Sequence, residues 1–300
     1  DVMNGFRLQD LLRQQNENRP ALPRLLHFLD AWLLGGRNLL PLAATLLAQL
    51  GHLALLGSLM SAADDERDGR PPRWLLPLAF TALLFFSAAQ LQTYEWGFQA
   101  GLSGGFGLAT AAIALTLHAG THSGRRLQFT FLMLAAVSAA LAELSFQGGL
   151  LAWPASVVLA LLIGVERRLV AVFATLGVGA IALYFVGYSQ PQFASSPVEA
   201  VAQPFAVVSY LLAYLGNPFG VWPTGVAAAL GGISLALFVL ALARLQWRDR
   251  RPAPLALASV AAFALAEGVL RAVQRADFPA EHATGTAFAV GPAVFWSAVV

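Results

Sequence analysis

Three constellations in this sequence carry side chains that could do chemistry. Glu267 and Arg271 stand i, i+4 within an otherwise apolar stretch, in the better order for a helical ion pair. A charge at mid-bilayer costs roughly 2.5–3.5 kcal/mol on insertion scales, so such a pair either staples helices together or serves a charged head group. The residues alone leave both open. His118 and His122 lie one helical turn apart, a spacing that can hold a metal ion. Gly120 between them weakens the helix, Arg125 and Arg126 repel a cation, and no third ligand is near in sequence, so an interfacial pair is expected. Gln49 and His52 share one face near the middle of an apolar run. Polar groups at that depth must point into a bundle; helix-to-helix hydrogen bonding explains them, and a polar pathway is the alternative.

The elements that must position these groups follow from composition. Of 300 residues, 58% are hydrophobic and only 11% charged, whereas soluble domains carry roughly 25% charged residues. Mean hydropathy is +0.66. Such a chain needs lipid rather than water around it. The basic residues are all Arg and the net charge is +2, so the pI of about 9.4 does not signal a nucleic-acid surface. There is no Cys, which excludes disulfides, thiolate metal sites and a thiol nucleophile. The sequence opens at Asp1 without Met and stops at Val300 inside an apolar run, so further sequence is expected at both ends.

An all-α polytopic bundle of about nine spans is expected. Apolar spans fall at about 38–61, 74–91, 101–120, 127–143, 149–164, 169–187, 221–243 and 254–272, with a truncated ninth from about 284. Residues 1–37 form the one extended polar segment, separate from the membrane domain 38–300. Within it, Leu22, Leu25, Leu26, Leu29, Trp32 and Leu33 make one helical face, with Arg24, His27 and Asp30 largely opposite. That pattern predicts a juxtamembrane helix lying along the interface. Gly101, Gly105 and Ala109 form a small-residue stripe suited to close helix packing.

Orientation comes from Arg. The connections 62–73, 121–126, 165–168 and 244–253 hold eleven Arg, while 92–100, 144–148 and 188–220 hold none. The first set is therefore expected on the cytoplasmic side, with residues 1–37 outside. Trp74 and Trp247 fall at inner boundaries and Trp96, Trp153 and Trp222 at outer ones, as an aromatic belt requires. Residues 205–216 are apolar but too short to cross, so they read as a re-entrant or interfacial helix on the outer face. On this topology Asp1, Asp10, Glu17, Asp30, Glu95, Glu143, Glu199, Asp277 and Glu281 map to the outer face or just beneath it, with Arg7, Arg13, Arg19, Arg24, Arg37, Arg271 and Arg275. Arg is normally sparse there. A cationic surface around carboxylates could hold a phosphate-bearing ligand, and an ordinary folded extramembrane surface would look the same.

The order of parts resembles the start of GT-C-type membrane glycosyltransferases. The stretch NENRPALPRLLHFLDAWLLGGRN at residues 16–38 also looks like one found in uncharacterised bacterial multi-pass proteins, as does the late RAVQRADFPAEHATG at 271–285; the resemblance is specific over these two stretches and architectural elsewhere. No paired acidic motif is visible. The resemblance implies a polyprenyl-phosphate sugar donor used at the outer face of a bacterial inner membrane, sometimes with a divalent metal. An inverting transferase would then use Asp1 or Asp10 as general base. Arg19, Arg24 and Arg271, with Glu267 beside them, would bind the substrate phosphate. The other expectation is a non-catalytic membrane-complex subunit in which residues 1–37 dock a partner.

Overall fold

The computed structural model describes residues 8–64, 72–219, 223–245 and 251–300. Asp1, Arg7, Trp222, Trp247 and the loop residues Arg67, Arg70, Arg248 and Arg250 lie outside them. The described residues form α1 (Leu8–Leu11), α2 (Ala21–Leu34), α3 (Leu39–Ala63), α4 (Leu75–Phe85), α5 (Leu91–Glu95), α6 (Ala100–Thr121), α7 (Arg125–Glu143), α8 (Ala152–Leu162), α9 (Arg167–Phe185), α10 (Pro197–Ala202), α11 (Pro204–Gly216), α12 (Thr224–Arg244), α13 (Pro252–Gln274) and α14 (Val290–Val299). Short 3₁₀ turns join several of them, and no strand occurs among the described residues.

Six helices, α3, α6, α7, α9, α12 and α13, are long and apolar enough to cross a membrane. A seventh span exists if α4 is continued through Ala88–Glu95, a pair bent by 45°. The bend sits at Phe86–Ser87, where Ser87 is extended, and the Tyr94 hydroxyl donates to the Phe85 carbonyl left free by the break (2.9 Å). The stretches at 149–164 and from 284 are shorter than expected. A 3₁₀ segment, Gln147–Leu151, uses up the start of the first, leaving eleven residues in α8. Two more 3₁₀ turns precede the ten residues of α14. At about 1.5 Å per residue, each of these helices covers roughly half of a 30 Å hydrocarbon core.

Two spans form the interior. α6 and α13 have 67% and 56% of their apolar windows buried, against 22–33% for the other four. The small stripe on α6 explains its position. A Cβ at Gly101 would meet Pro23 and the Ser145 carbonyl, and one at Gly105 would run into the Phe146 ring. Gln49 and His52 point into the α3–α6 contact, as expected of polar groups at that depth: His52 Nε2 lies 2.8 Å from Thr110 Oγ1.

The connections sort to two ends. At one, the Arg125 guanidinium pairs with Glu166 (3.2 Å) and Asp64 accepts the Arg73 amide (2.7 Å); this is the arginine end. At the other, the N-terminal segment is tied down as a cap. The Leu22 amide donates to the Leu144 carbonyl, the Gln147 amide to Asn18 Oδ1, and the Ser189 amide to Gln14 Oε1. α2 ends where Gly35 and Gly36 adopt left-handed φ of +68° and +75°. Asp30, expected on the polar face, is instead buried. Its carboxylate accepts the Asn38 and Leu40 amides (2.6 and 2.8 Å), supplying partners for donors that the start of α3 leaves free. Trp32 and Leu33 stay exposed.

α11 starts at the cap end and its last turn packs inward, where Trp296 of α14 donates to the Leu215 carbonyl (2.8 Å). Gln203, just before it, donates to Asp277 (2.7 Å), and Asn217, just after it, donates to the Ala283 and Gly285 carbonyls (3.1 and 2.9 Å). The helix therefore runs beside the 277–285 segment.

Candidate functional site

The cap end contains a cavity of about 140 Å³ between the N-terminal segment and the ends of α6 and α13. Its polar wall comes from Asn16, Glu17, Asn18, Gln99, Arg271 and Arg275, and its apolar wall from Trp96, Phe146 and Phe288 among others.

Glu17 is placed by a tight turn. Gln15 and Asn18 exchange backbone hydrogen bonds (2.8 and 2.9 Å), with Asn16 between them at φ +52°. The Tyr184 hydroxyl of α9 donates to the Glu17 carbonyl (2.8 Å). These bonds direct the Glu17 side chain inward, where Oε1 accepts from Arg275 Nη2 at 3.0 Å. The pair is buried on both sides, at 10% and 9% side-chain exposure. Arg275 Nη1 and Glu17 Oε2 are nevertheless without a hydrogen-bond partner, and so is the buried Gln99 Oε1. Arg275 also stacks over the Phe193 ring, 4.6 Å from its centre.

One turn earlier on α13, Arg271 and Glu267 form the i, i+4 pair expected from sequence. Arg271 donates through Nε and Nη2 to Glu267 Oε1 (2.9 and 2.5 Å). The other carboxylate oxygen accepts the hydroxyl of Tyr214 from α11. Glu267 is thus fully engaged, and Arg271 is held over the Phe288 ring at 5.0 Å, facing the cavity. Beside this wall His282 packs among Phe278 and Phe288, with Nδ1 3.1 Å from the Tyr210 hydroxyl. Burial, then the charges of Arg275 and Arg271, hold its pKa below the ordinary imidazole value. The cavity wall therefore carries two cations and one carboxylate, and Glu267 neutralises Arg271 from behind the wall.

Other residues singled out in the sequence lie elsewhere. Arg19 donates to the Val186 and Leu12 carbonyls (2.5 and 3.3 Å) and rests over Tyr184. Arg24 donates to the carbonyls of Asp10, Leu11 and Arg13 and to Gln15 Oε1. Both hold the cap together, and neither lines the cavity. Asp10 sits in α1, outside the cavity wall, and Asp1 is beyond the described residues. The cavity groups that reasoning from sequence did not single out are Glu17, Arg275 and Gln99. Glu17 and Arg275 appeared only as members of the outer charge cluster. The signal for Arg275 was its place four residues after Arg271.

Among the described residues no three His, Asp or Glu side chains gather to hold a metal ion. His118 and His122 instead pack on Phe131, with ring centres 5.6 and 5.1 Å away. Compared with known proteins, the chain matches no protein family, no curated protein and no solved structure.

Proposed function

We propose that the protein is a multi-pass membrane transferase of the GT-C type that takes the head of a polyprenyl-phosphate-linked sugar into the cap-end cavity, at the outer face of a bacterial inner membrane. The observation that carries this reading is the trio of buried groups without partners around one cavity: Glu17 Oε2, Gln99 Oε1 and Arg275 Nη1. Buried polar atoms are ordinarily satisfied. Two free acceptors and one free donor suit hydroxyl groups, which both give and take hydrogen bonds. The rings of Trp96, Phe146 and Phe288 offer an apolar wall to the other side of such a ligand. The matched charges favour a polyol over a bare anion, with the phosphate at the cavity rim near Arg271.

Chemically, the carboxylate suited to general-base work is Glu17 rather than Asp10 or Asp1, because its free oxygen borders the cavity. The acceptor hydroxyl oxygen would form the new bond to the anomeric carbon while its proton passes to Glu17. The anomeric carbon–phosphate oxygen bond breaks, and the lipid phosphate leaves with its electron pair, stabilised by Arg271 and Arg275. The second reading, a membrane-complex subunit, draws on Arg19 and Arg24, whose donors hold the cap together rather than reach a ligand.

The test uses the protein in lipid nanodiscs with a panel of polyprenyl-phosphate-linked hexoses and pentoses plus an alcohol acceptor. Release of free polyprenyl phosphate is followed by thin-layer chromatography. Turnover of at least one donor, reduced by about 10²–10⁴-fold in Glu17→Gln, is expected. No turnover and no donor binding across the panel would leave the subunit reading in its place.

A further inference from the structure

Away from the cavity, the α3–α6 contact holds a second set of buried polar atoms. Gln49 and His52 are 1% and 2% exposed, and Ser103 and Thr110 opposite them are 1% and 0% exposed. His52 Nε2 is engaged with Thr110 Oγ1 at 2.8 Å, and Gln49 Nε2 reaches Ser103 Oγ at 3.5 Å. That leaves Gln49 Oε1 and His52 Nδ1, both fully buried and both without a partner. The two residues are i, i+3, so their side chains leave the helix about 5–6 Å apart on one face.

We propose that this seam is a binding site for an ordered water molecule bridging Gln49 Oε1 and His52 Nδ1. With the imidazole proton on Nε2, directed at Thr110, Nδ1 is an acceptor, as Gln49 Oε1 always is. A water has two protons to give and needs two to four polar partners to remain in an interior. Two acceptors one turn apart supply two partners, and the Ser103 hydroxyl is beside them to supply a third. A lone-pair nitrogen and a carbonyl oxygen with nothing to accept are costly at this depth. Lipid offers them no donor.

Gln99, the N-cap of α6, borders the cap-end cavity, and Ser103 lies one turn further along the chain, so the seam starts one turn below the cavity. Thr110 stands about 11 Å further along the axis than Ser103, at 1.5 Å per residue. The bridge stands whether or not the cavity binds a sugar.

The test is solid-state NMR of the full chain, ¹⁵N- and ¹³C-labelled at histidine, in nanodiscs. The protein has five His, and His52 is assigned as the signal lost in His52→Gln. The expected spectrum shows an unprotonated Nδ1 with a correlation to water protons. That correlation is lost in Gln49→Leu, while the Nε2 proton, held by Thr110, is retained. A protonated Nδ1 without water contact, or a correlation that survives Gln49→Leu, overturns the bridge. A His52 signal that shifts when sodium is replaced by choline assigns the site to a cation and overturns it equally. Gln49→Leu places an apolar side chain in an apolar span, so the variant is suited to folding and to being read.

Discussion

Glu17 and Arg275 are held to each other by one hydrogen bond of 3.0 Å, with one atom of each left free. Two charges removed from water in this way are costly unless each neutralises the other, and removing one strands its partner. Glu17→Ala is therefore expected to destabilise the protein by about 3–5 kcal/mol, read as a fall in the unfolding midpoint in detergent. The double variant Glu17→Leu with Arg275→Met is expected to recover most of that loss, because it removes both charges while keeping volume. Were the double variant as unstable as the single one, the pair would not be the reason for the loss. Glu17 also shows why the site was only partly legible. The turn at 15–18 that directs it inward depends on contacts from Tyr184 and Gln147, more than a hundred positions away, and no local pattern encodes them. Glu267 and Arg271 were legible because their partnership is a property of one helix.

At the scale of elements, the α10–α11 corner hangs on Asp277. One of its carboxylate oxygens accepts from Gln203 (2.7 Å) and the other from the Ser195 hydroxyl (2.8 Å). These two donors, Gln203 first, hold its pKa below the ordinary Asp value. The sign follows directly: a depressed carboxylate contributes stability above its unfolded pKa and loses it as pH falls through the folded value. Rate-corrected hydrogen exchange of residues 195–204 is thus expected to quicken as pH drops below the ordinary Asp range. Asp277→Asn should exchange fast at every pH. The corner continues into a tight hairpin, since a Cβ at Gly231 of α12 would overlap the Leu212 carbonyl of α11. Gly231→Leu is expected to separate the two helices and lower the unfolding midpoint, while Gly232→Leu, with open space at that position, should be near neutral. Hydropathy made the long spans legible, because lipid selects on length and apolar content. It could not locate the 3₁₀ segments Gln147–Leu151 and Ala280–Thr284, which are as apolar or as short as their surroundings and are fixed by packing against α7 and α11 respectively.

At the scale of the whole molecule, the two-ended sorting of the connections invites a direct test of orientation. The loops bearing Arg73, Arg125, Arg126, Arg167 and Arg168 gather at one end, joined in part by the Arg125–Glu166 pair. The cap, 188–195 and 277–288 gather at the other, joined by the Ser189–Gln14 and Ser195–Gln274 bonds. Geometry gives the grouping and the Arg asymmetry gives the direction, since cytoplasmic loops are the ones enriched in Arg. The chain has no Cys, so a single introduced thiol reports its own side without background. Ser123 and Gln192 are both exposed, one at each end. In intact bacterial cells, Gln192→Cys is expected to react with a membrane-impermeant maleimide, and Ser123→Cys to react only after the membrane is opened. Reversed labelling would keep the fold and turn the cap to the cytoplasm, removing the outer-face chemistry proposed for the cavity. Equal labelling of both positions in sealed cells would break the two-ended arrangement itself, because no bundle with these contacts can present both loops to one side.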